Sequence, residues 1–159
     1  MSVDMFLKIS DIPGDSTSDK HKGEIDVLSY SWGATLPIDR TSGGGTATGR
    51  TQVQDFSFVK MPDSASPKLM EKVCNGNSIP EAMLTLVKAG DNPQEFMKIR
   101  MSNVLISSYQ TGGSAGMLPA EQVSFAFSKV ELSVAQQNPD GSVGAWTEHI
   151  CDFMKNTTA

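Results

Sequence analysis

The residues able to do chemistry in this chain are few and poorly assembled for it. His21 has Asp19 two residues upstream in a polar loop. That pair could begin a metal site or an acid–base pair, but either needs further ligands or a nucleophile nearby, and none lies close in sequence. His21 therefore reads as a surface loop histidine. His149 and Cys151 alternate onto one face of the last strand. A Cys–His pair can yield a thiolate nucleophile. Here no third group orients the histidine and no loop offers an oxyanion hole, so the two read as residues of a half-buried strand. Gly43-Gly44-Gly45 lacks the Lys-Ser/Thr of a phosphate loop and opens no helix, so it reads as a flexible arm. Tyr30, Trp32, Phe56 and Phe58 could stack sugars or bases. With no basic residues around them, core or subunit contact is the better reading. No catalytic residue, metal or cofactor is expected.

Bulk composition narrows the classes further. The chain has 159 residues, enough for one domain over 1–159 that buries its own core. Thirteen basic against eighteen acidic side chains leave a net charge of −5. No cluster of Lys or Arg exists, so binding to nucleic acid phosphates is disfavoured. The apolar share, 38%, is low for a globular chain and suggests that neighbours supply part of the apolar surface. Cys74 and Cys151 read as two small buried thiols; only their even number speaks for a bridge. The first ten residues, MSVDMFLKIS, carry no basic leader and no long apolar stretch. No segment has the ~20 apolar residues that cross a bilayer. The expectation is a protein folded in the cytoplasm, without membrane contact, that leaves the cell only through another machine.

The elements that must position these residues are mostly strands. Val3, Met5, Leu7 and Ile9 alternate in the first. Residues 11–22 form a loop. Residues 24–32 and 51–60 read as two strands with apolar groups on both faces, hence covered on both. Ser66-Pro67 starts the one helix, with Ser66 as cap and Pro67 in the first turn. Leu69, Met70, Val73 and Cys74 form its apolar stripe, and Asn75-Gly76 ends it. Residues 80–88 make another strand. Two long strands follow, each with a one-residue slip in its apolar phase, which calls for bends near Ser102-Asn103 and Ser128-Lys129. Such bends close a sheet into a small barrel. Asn138-Pro139-Asp140-Gly141 is a turn, residues 143–153 a last strand, and 155–159 a frayed tail. The polar segment 36–50 is too long for an ordinary hairpin turn and so reads as functional.

Taken together, GEIDVLSYSWG (23–33), VQDFSFVK (53–60), DSASPKL (63–69), LTLVKAG (84–90), EQVSFAFSKVELS (121–133) and NPDGS (138–142) resemble the haemolysin co-regulated protein (Hcp) family, whose opening is matched by DIPGDSTSDKHKGEI (11–25). The resemblance covers nearly the whole chain in the correct order. It rests on Gly23, Glu24, Trp32, Gly33, Gln54, Asp55 and Phe56 among others. It implies a mainly β fold: a small closed β-barrel of two antiparallel sheets, one short α-helix at its side and an extended loop between strands two and three. It implies a structural protein rather than an enzyme, the inner tube of a type VI secretion system. Six copies would close a ring and rings would stack, meeting a VgrG spike, a contractile sheath and effector proteins in the lumen. The tube protein is itself secreted. The alternative is a stand-alone ring that chaperones effectors without a tube role. The assembly loop is expected at Pro37, Ile38, Thr41, Gly43, Gly44, Gly45, Thr46 and Arg50.

Overall fold

The computed structural model describes residues 2–39, 47–154 and 157–158. In chain order the elements are β1 (Val3–Ile9), β2 (Ile25–Val27), β3 (Ser29–Ser31), β4 (Ala34–Thr35), β5 (Ile38–Asp39), β6 (Ala47–Thr48), β7 (Gln52–Val53), β8 (Phe56–Lys60), α1 (Ser66–Asn75), β9 (Ile79–Lys88), β10 (Gln94–Gly112), β11 (Ala120–Ala126), β12 (Lys129–Gln137), β13 (Val143–Asp152) and β14 (Thr157–Thr158). All ladders are antiparallel.

Two layers share β10. The first runs β2-β1-β9-β10-β12-β13-β14; the second runs from the far half of β10 through β11 and β8 to β3. The layers exist because three strands change sheet. β10 crosses over at Asn103, which adopts a left-handed φ of 54°. The predicted bend at Ser102-Asn103 is that crossing. The strand expected to bend near Ser128 instead breaks there into β11 and β12, one in each layer. The corner is pinned: Ser128 N–H donates to the Ser102 carbonyl at 3.1 Å, and Asn103 Nδ2 to Ser128 Oγ at 3.0 Å. The strand expected over 24–32 likewise divides at Leu28. Its first half pairs with β1 and its second with β8.

That division corrects the closed barrel. At Leu28 the chain leaves the β1 ladder, and one hydrogen bond, Leu28 N–H to the Val59 carbonyl at 2.8 Å, reaches the opposite sheet. The ladder therefore stays open at a seam, and the layers pack face to face like a sandwich. Leu7, Ile25, Leu84, Ile99 and Met101 from one layer meet Phe56, Phe58, Val123 and Phe125 from the other, all fully buried.

The helix begins and ends as expected, with Gly76 in the left-handed conformation (φ 68°) after its last turn. Its cap and its stripe differ. Ser66 does not cap. Its hydroxyl donates to Glu121 Oε2 (2.8 Å) and accepts from Lys60 Nζ (2.9 Å), while Asp63 Oδ1 takes the Ala65 N–H instead. Of the predicted stripe only Leu69 is buried; Met70, Val73 and Cys74 are exposed. The buried thiols are corrected too: Cys74 is exposed, Cys151 half-buried, and both are free. Residues 157–158 are not frayed but pair with β13.

Lys60 has no exposed surface. Its ammonium lies 2.7 Å from both Glu121 Oε2 and Asp63 Oδ1 and 3.2 Å from the Met61 carbonyl. Tyr109 donates to the other Glu121 oxygen. Burial pushes the Glu121 carboxyl up, but hydrogen bonds from Lys60, Tyr109 and Ser66 outweigh it and leave the group below its ordinary value. The Tyr109 hydroxyl is pushed up to about 12, first by burial and then by its bond to that carboxylate.

Glu121→Leu should cost about 3–5 kcal/mol, since it leaves Lys60 short of its partner, and Lys60→Met in the same chain should recover most of it; urea unfolding measures both. Tyr109 protects its proton in the folded state only. Its contribution is thus complete below pH 10 and lost as pH rises through about 12. Glu121 acts oppositely: its contribution is complete above pH 4.5 and lost as pH falls through its lowered folded value. Tyr109→Phe should flatten the alkaline limb of the stability–pH curve and, because it removes one of the bonds that lower Glu121, also shrink the acid limb.

Candidate functional site

The root of the segment 36–50 is held by aromatic packing. Phe56, fully buried, stacks on Phe125 at 5.0 Å between centroids and on Tyr30 at 5.9 Å. Trp32 meets the Phe127 ring edge-on at 6.1 Å. These rings are core, not a stacking platform. Beyond Trp32 the Gly33 carbonyl accepts the Gln54 N–H at 2.8 Å, and the chain leaves the body as a two-stranded ribbon. Ala34 pairs with Val53 and Thr35 with Gln52; then, after a one-residue step in register, Ile38 pairs with Thr48 and Asp39 with Ala47.

The step falls between the Thr35–Gln52 pair and Pro37–Gly49, which already follow the outer register. Gly49 N–H donates to the Pro37 carbonyl at 2.8 Å, and a Cβ on Gly49 would stand 3.3 Å from the Pro37 ring. The segment is therefore an ordered hairpin at its base rather than the loop expected. Its ladders join no strand of the body. Leu36 and Ile38 are about half exposed, 48% and 49%, and Arg50 is exposed. Thr41, Gly43, Gly44, Gly45 and Thr46, also expected in the assembly loop, lie outside the described residues.

The remaining motif residues are structural supports. Gly23 sits at φ 77° and donates its N–H to the Ser16 carbonyl, folding loop 11–24 back on itself. Glu24 Oε2 is 2.7 Å from His21 Nδ1. Asp55 accepts from Ser107 Oγ at 2.8 Å. Two Ser64 bonds hold the Asp15 carboxyl below its usual range and tie the same loop to the helix start. His21 is not a surface residue: it is 6% exposed and stacks flat on Phe6 at 4.5 Å. Its Nε2 lies 3.1 Å from Glu95 Oε1 without hydrogen-bond alignment. His149 and Cys151 do share a face of β13, opposite Leu132 and Val130. Among the described residues no cluster of three acidic, His or Cys side chains could hold a metal.

A second surface went unread in the sequence. Outward from the core, Ser31, Ser57, Ser124 and Ser108 stand in register across β3, β8, β11 and β10. Ser57 Oγ and Ser124 Oγ are 2.7 Å apart. The only charged residues in these four strand segments, Lys60 and Glu121, point inward and are buried. The outward strand positions of this sheet thus carry a row of small hydroxyls and no charge, with the exposed Leu105 at one edge and the Asp55 carboxylate just before β8. The first sheet is the opposite: Arg100 lies 3.1 Å from Glu81 and 3.7 Å from Glu131, and Lys98 stacks over Trp146 at 5.3 Å. The two outermost strands of the second sheet, β3 and residues 105–112 of β10, each pair on one side only among the described residues.

Comparison with known proteins agrees with this geometry. A family profile described as "Type VI secretion system effector, Hcp" matches residues 6–134. Protein hcp1 of Pseudomonas aeruginosa is 42% identical over 144 residues, 89% of each chain. The crystal structure of Hcp1 from Salmonella typhimurium superposes with a TM-score of 0.81 at 32% identity, covering all of both chains. A solved type six secretion system protein reaches 0.95 at 28% identity, over 99% of this chain and all of that one.

Replacing Cys74 and Cys151 together by Ser should leave the fold intact. Cys74→Ser changes an exposed site, within about 0.5 kcal/mol, and Cys151→Ser adds a half-buried hydroxyl worth at most ~1–3 kcal/mol. Thermal unfolding of the double variant checks this; loss of folding would mean a role for a thiol that the geometry does not show.

Proposed function

This chain belongs to the Hcp family of type VI secretion proteins, and on that premise we propose that it is a ring-forming subunit of the secretion tube whose uncharged sheet face lines the passage. The row of four serines carries the reading. A channel through which different proteins must move should hold none of them tightly. Strong protein contacts concentrate on Trp, Tyr and Arg, while Ser is depleted among them. With Asp55 at its margin and no charge on its outward strand positions, the face offers cargo few ion pairs, and its hydroxyls can exchange bonds with water at little net cost.

The two open edges of the same sheet supply the means of closure. Unpaired strand edges are a liability in a lone protein. Setting β3 of one copy beside residues 105–112 of the next would satisfy both in a head-to-tail contact, and such a contact forms a ring when the rotation closes. Six copies is the number the family resemblance implies. The ring would then stack into a tube, with the arm reaching beyond its own subunit. VgrG spike, contractile sheath and effectors in the lumen are the partners this role requires. Secretion of the protein itself follows from ejection of the tube.

Native mass and electron microscopy should show rings at micromolar concentration, each contact burying over ~1,000 Å². A monomer there would overturn the ring. Ser57→Arg with Ser124→Arg should leave ring mass unchanged and reduce export of cargo at least tenfold. Undiminished export would show that this face does not line the passage.

A further inference from the structure

β13 is the outermost long strand of the first sheet. The Phe153 N–H donates to the Ser128 carbonyl at 2.8 Å, on the β12 side. Along an antiparallel strand the backbone groups of successive residues face alternate sides. Cys151, His149 and Thr147 therefore turn theirs to β12, opposite Val130, Leu132 and Val134, while Glu148 and Trp146 turn N–H and C=O to the outer edge. β14 pairs along that edge at Cys151 and Asp152. No strand among the described residues meets it at Trp146 or Glu148. Edge strands are commonly blunted by Lys, Pro or a bulge. Here the register runs unbroken from Trp146 to Asp152, and residues 146–150 include neither Lys nor Pro. Such an edge is open to strand addition, in which backbone pairing supplies affinity and alternate side chains supply choice.

The side chains beside the edge set the charge of the guest. Trp146, 39% exposed, and Glu148 border a hollow of about 260 Å³ on the outer face, together with Lys98, Arg100 and Glu131. Both cations there already have partners: Lys98 lies 3.1 Å from Glu95, and Arg100 lies 3.1 Å from Glu81. Glu148 is exposed and has no cation in ion-pair range among the described residues. The other open edges of the body cannot supply one. β2, β3 and residues 105–112 of β10 contain no Lys or Arg, and β2 would bring Asp26 instead. A second β13 would bring a second Glu148. The matching cation has to come from a different protein.

We propose that the outer edge of β13 accepts an extended segment of a different protein, added as an antiparallel strand, with a Lys or Arg set against Glu148 and an apolar side chain against Trp146. Those two positions of the guest are two residues apart, so both side chains fall on the same face. An aromatic against a β-branched residue and a pair of opposite charges are both favourable cross-strand neighbours. The charged pair selects register and penalises wrong partners more than it adds affinity. This site goes beyond the ring reading and does not rest on it, since ring closure is assigned to the edges of the second sheet.

The test uses the full chain and a short peptide alternating valine and lysine, with a valine–glutamate peptide as control. Amide hydrogen exchange should show the Trp146 and Glu148 N–H groups protected roughly tenfold by the lysine peptide and unchanged by the glutamate peptide. Methylating the backbone nitrogens of the lysine peptide, which keeps its charge and removes its donors, should abolish the protection. Glu148→Lys, an exposed change, should weaken the lysine peptide roughly tenfold and let the glutamate peptide bind, because like charges directly opposite repel. Equal binding of the two peptides would overturn the proposal, as would binding that leaves those two amides unprotected or that survives methylation. Protection that rises with concentration in the protein alone would show a second copy on this edge and would overturn it as well.

Discussion

A buried ammonium organises this fold. Lys60 ends β8 on the inward phase, after Phe56 and Phe58, and there it has no water. Such a charge must be matched and hydrogen-bonded where it lies. Glu121 comes from the inward phase of β11, and Asp63 and Ser66 come from the turn into the helix. One ammonium therefore sets the position of the helix start against the second sheet. Buried ion pairs are often no more stable than apolar packing of the same volume, so stability alone does not account for this one. Its clearer effect is geometric. By directing inward every charge those four strand segments possess, it leaves their outward phase to Ser, Val, Gln, Ala and, at one edge, Leu105.

The strand crossings extend that asymmetry to the whole molecule. β10 carries Lys98 and Arg100 outward on the first sheet and, past Asn103, only uncharged residues on the second. A non-glycine residue at positive φ is uncommon, and Asn tolerates it better than most. Here its amide is also bonded to Ser128. The two crossing strands are tied at the same point, so the corner is a fixed bend rather than a hinge. One continuous ladder can then present an ion-paired face on one layer and a hydroxyl face on the other.

Much of this was legible in the sequence. Alternation located β1, β10, β11 and β12, residues 80–88 and 143–153 match β9 and β13, and Ser66-Pro67 with Asn75-Gly76 bracketed the helix. The phase slips at Ser102 and Ser128 marked both crossings, because a face cannot change sides without a bend. Leu28 was not legible: residues 24–32 are apolar on both phases, and pattern alone does not say where one partner replaces another. The hairpin base of the arm was missed because Pro37 and Gly49 read as loop residues, and only their pairing across the ribbon places them in its outer register. His21 was misplaced because local polarity concealed the Phe6 ring contributed by a distant strand. The Lys60–Glu121 pair did leave a signal. Each is a charged residue in phase with buried apolar side chains, Lys60 with Phe56 and Phe58, Glu121 with Val123 and Phe125. The serine row left none, since registration across four strands is a property of the fold.

A low-affinity passage imposes a requirement on the rest of the chain. If the sheet face is to hold nothing firmly, cohesion between copies has to come from elsewhere, and it cannot come from that face without narrowing what passes. The sheet edges lie beside the face but point along the sheet, perpendicular to the outward side chains. Backbone pairing there adds strength without adding side chains to the passage. The arm leaves the body at Gly33 and Gln54, and its ladders stay within the ribbon. Its apolar residues can therefore be adhesive without coating the hydroxyl surface. On the proposed ring reading, adhesion and its absence fall to different parts of one short chain, and the inward-turned Lys60 and Glu121 keep charge off the outward strand positions of the second part.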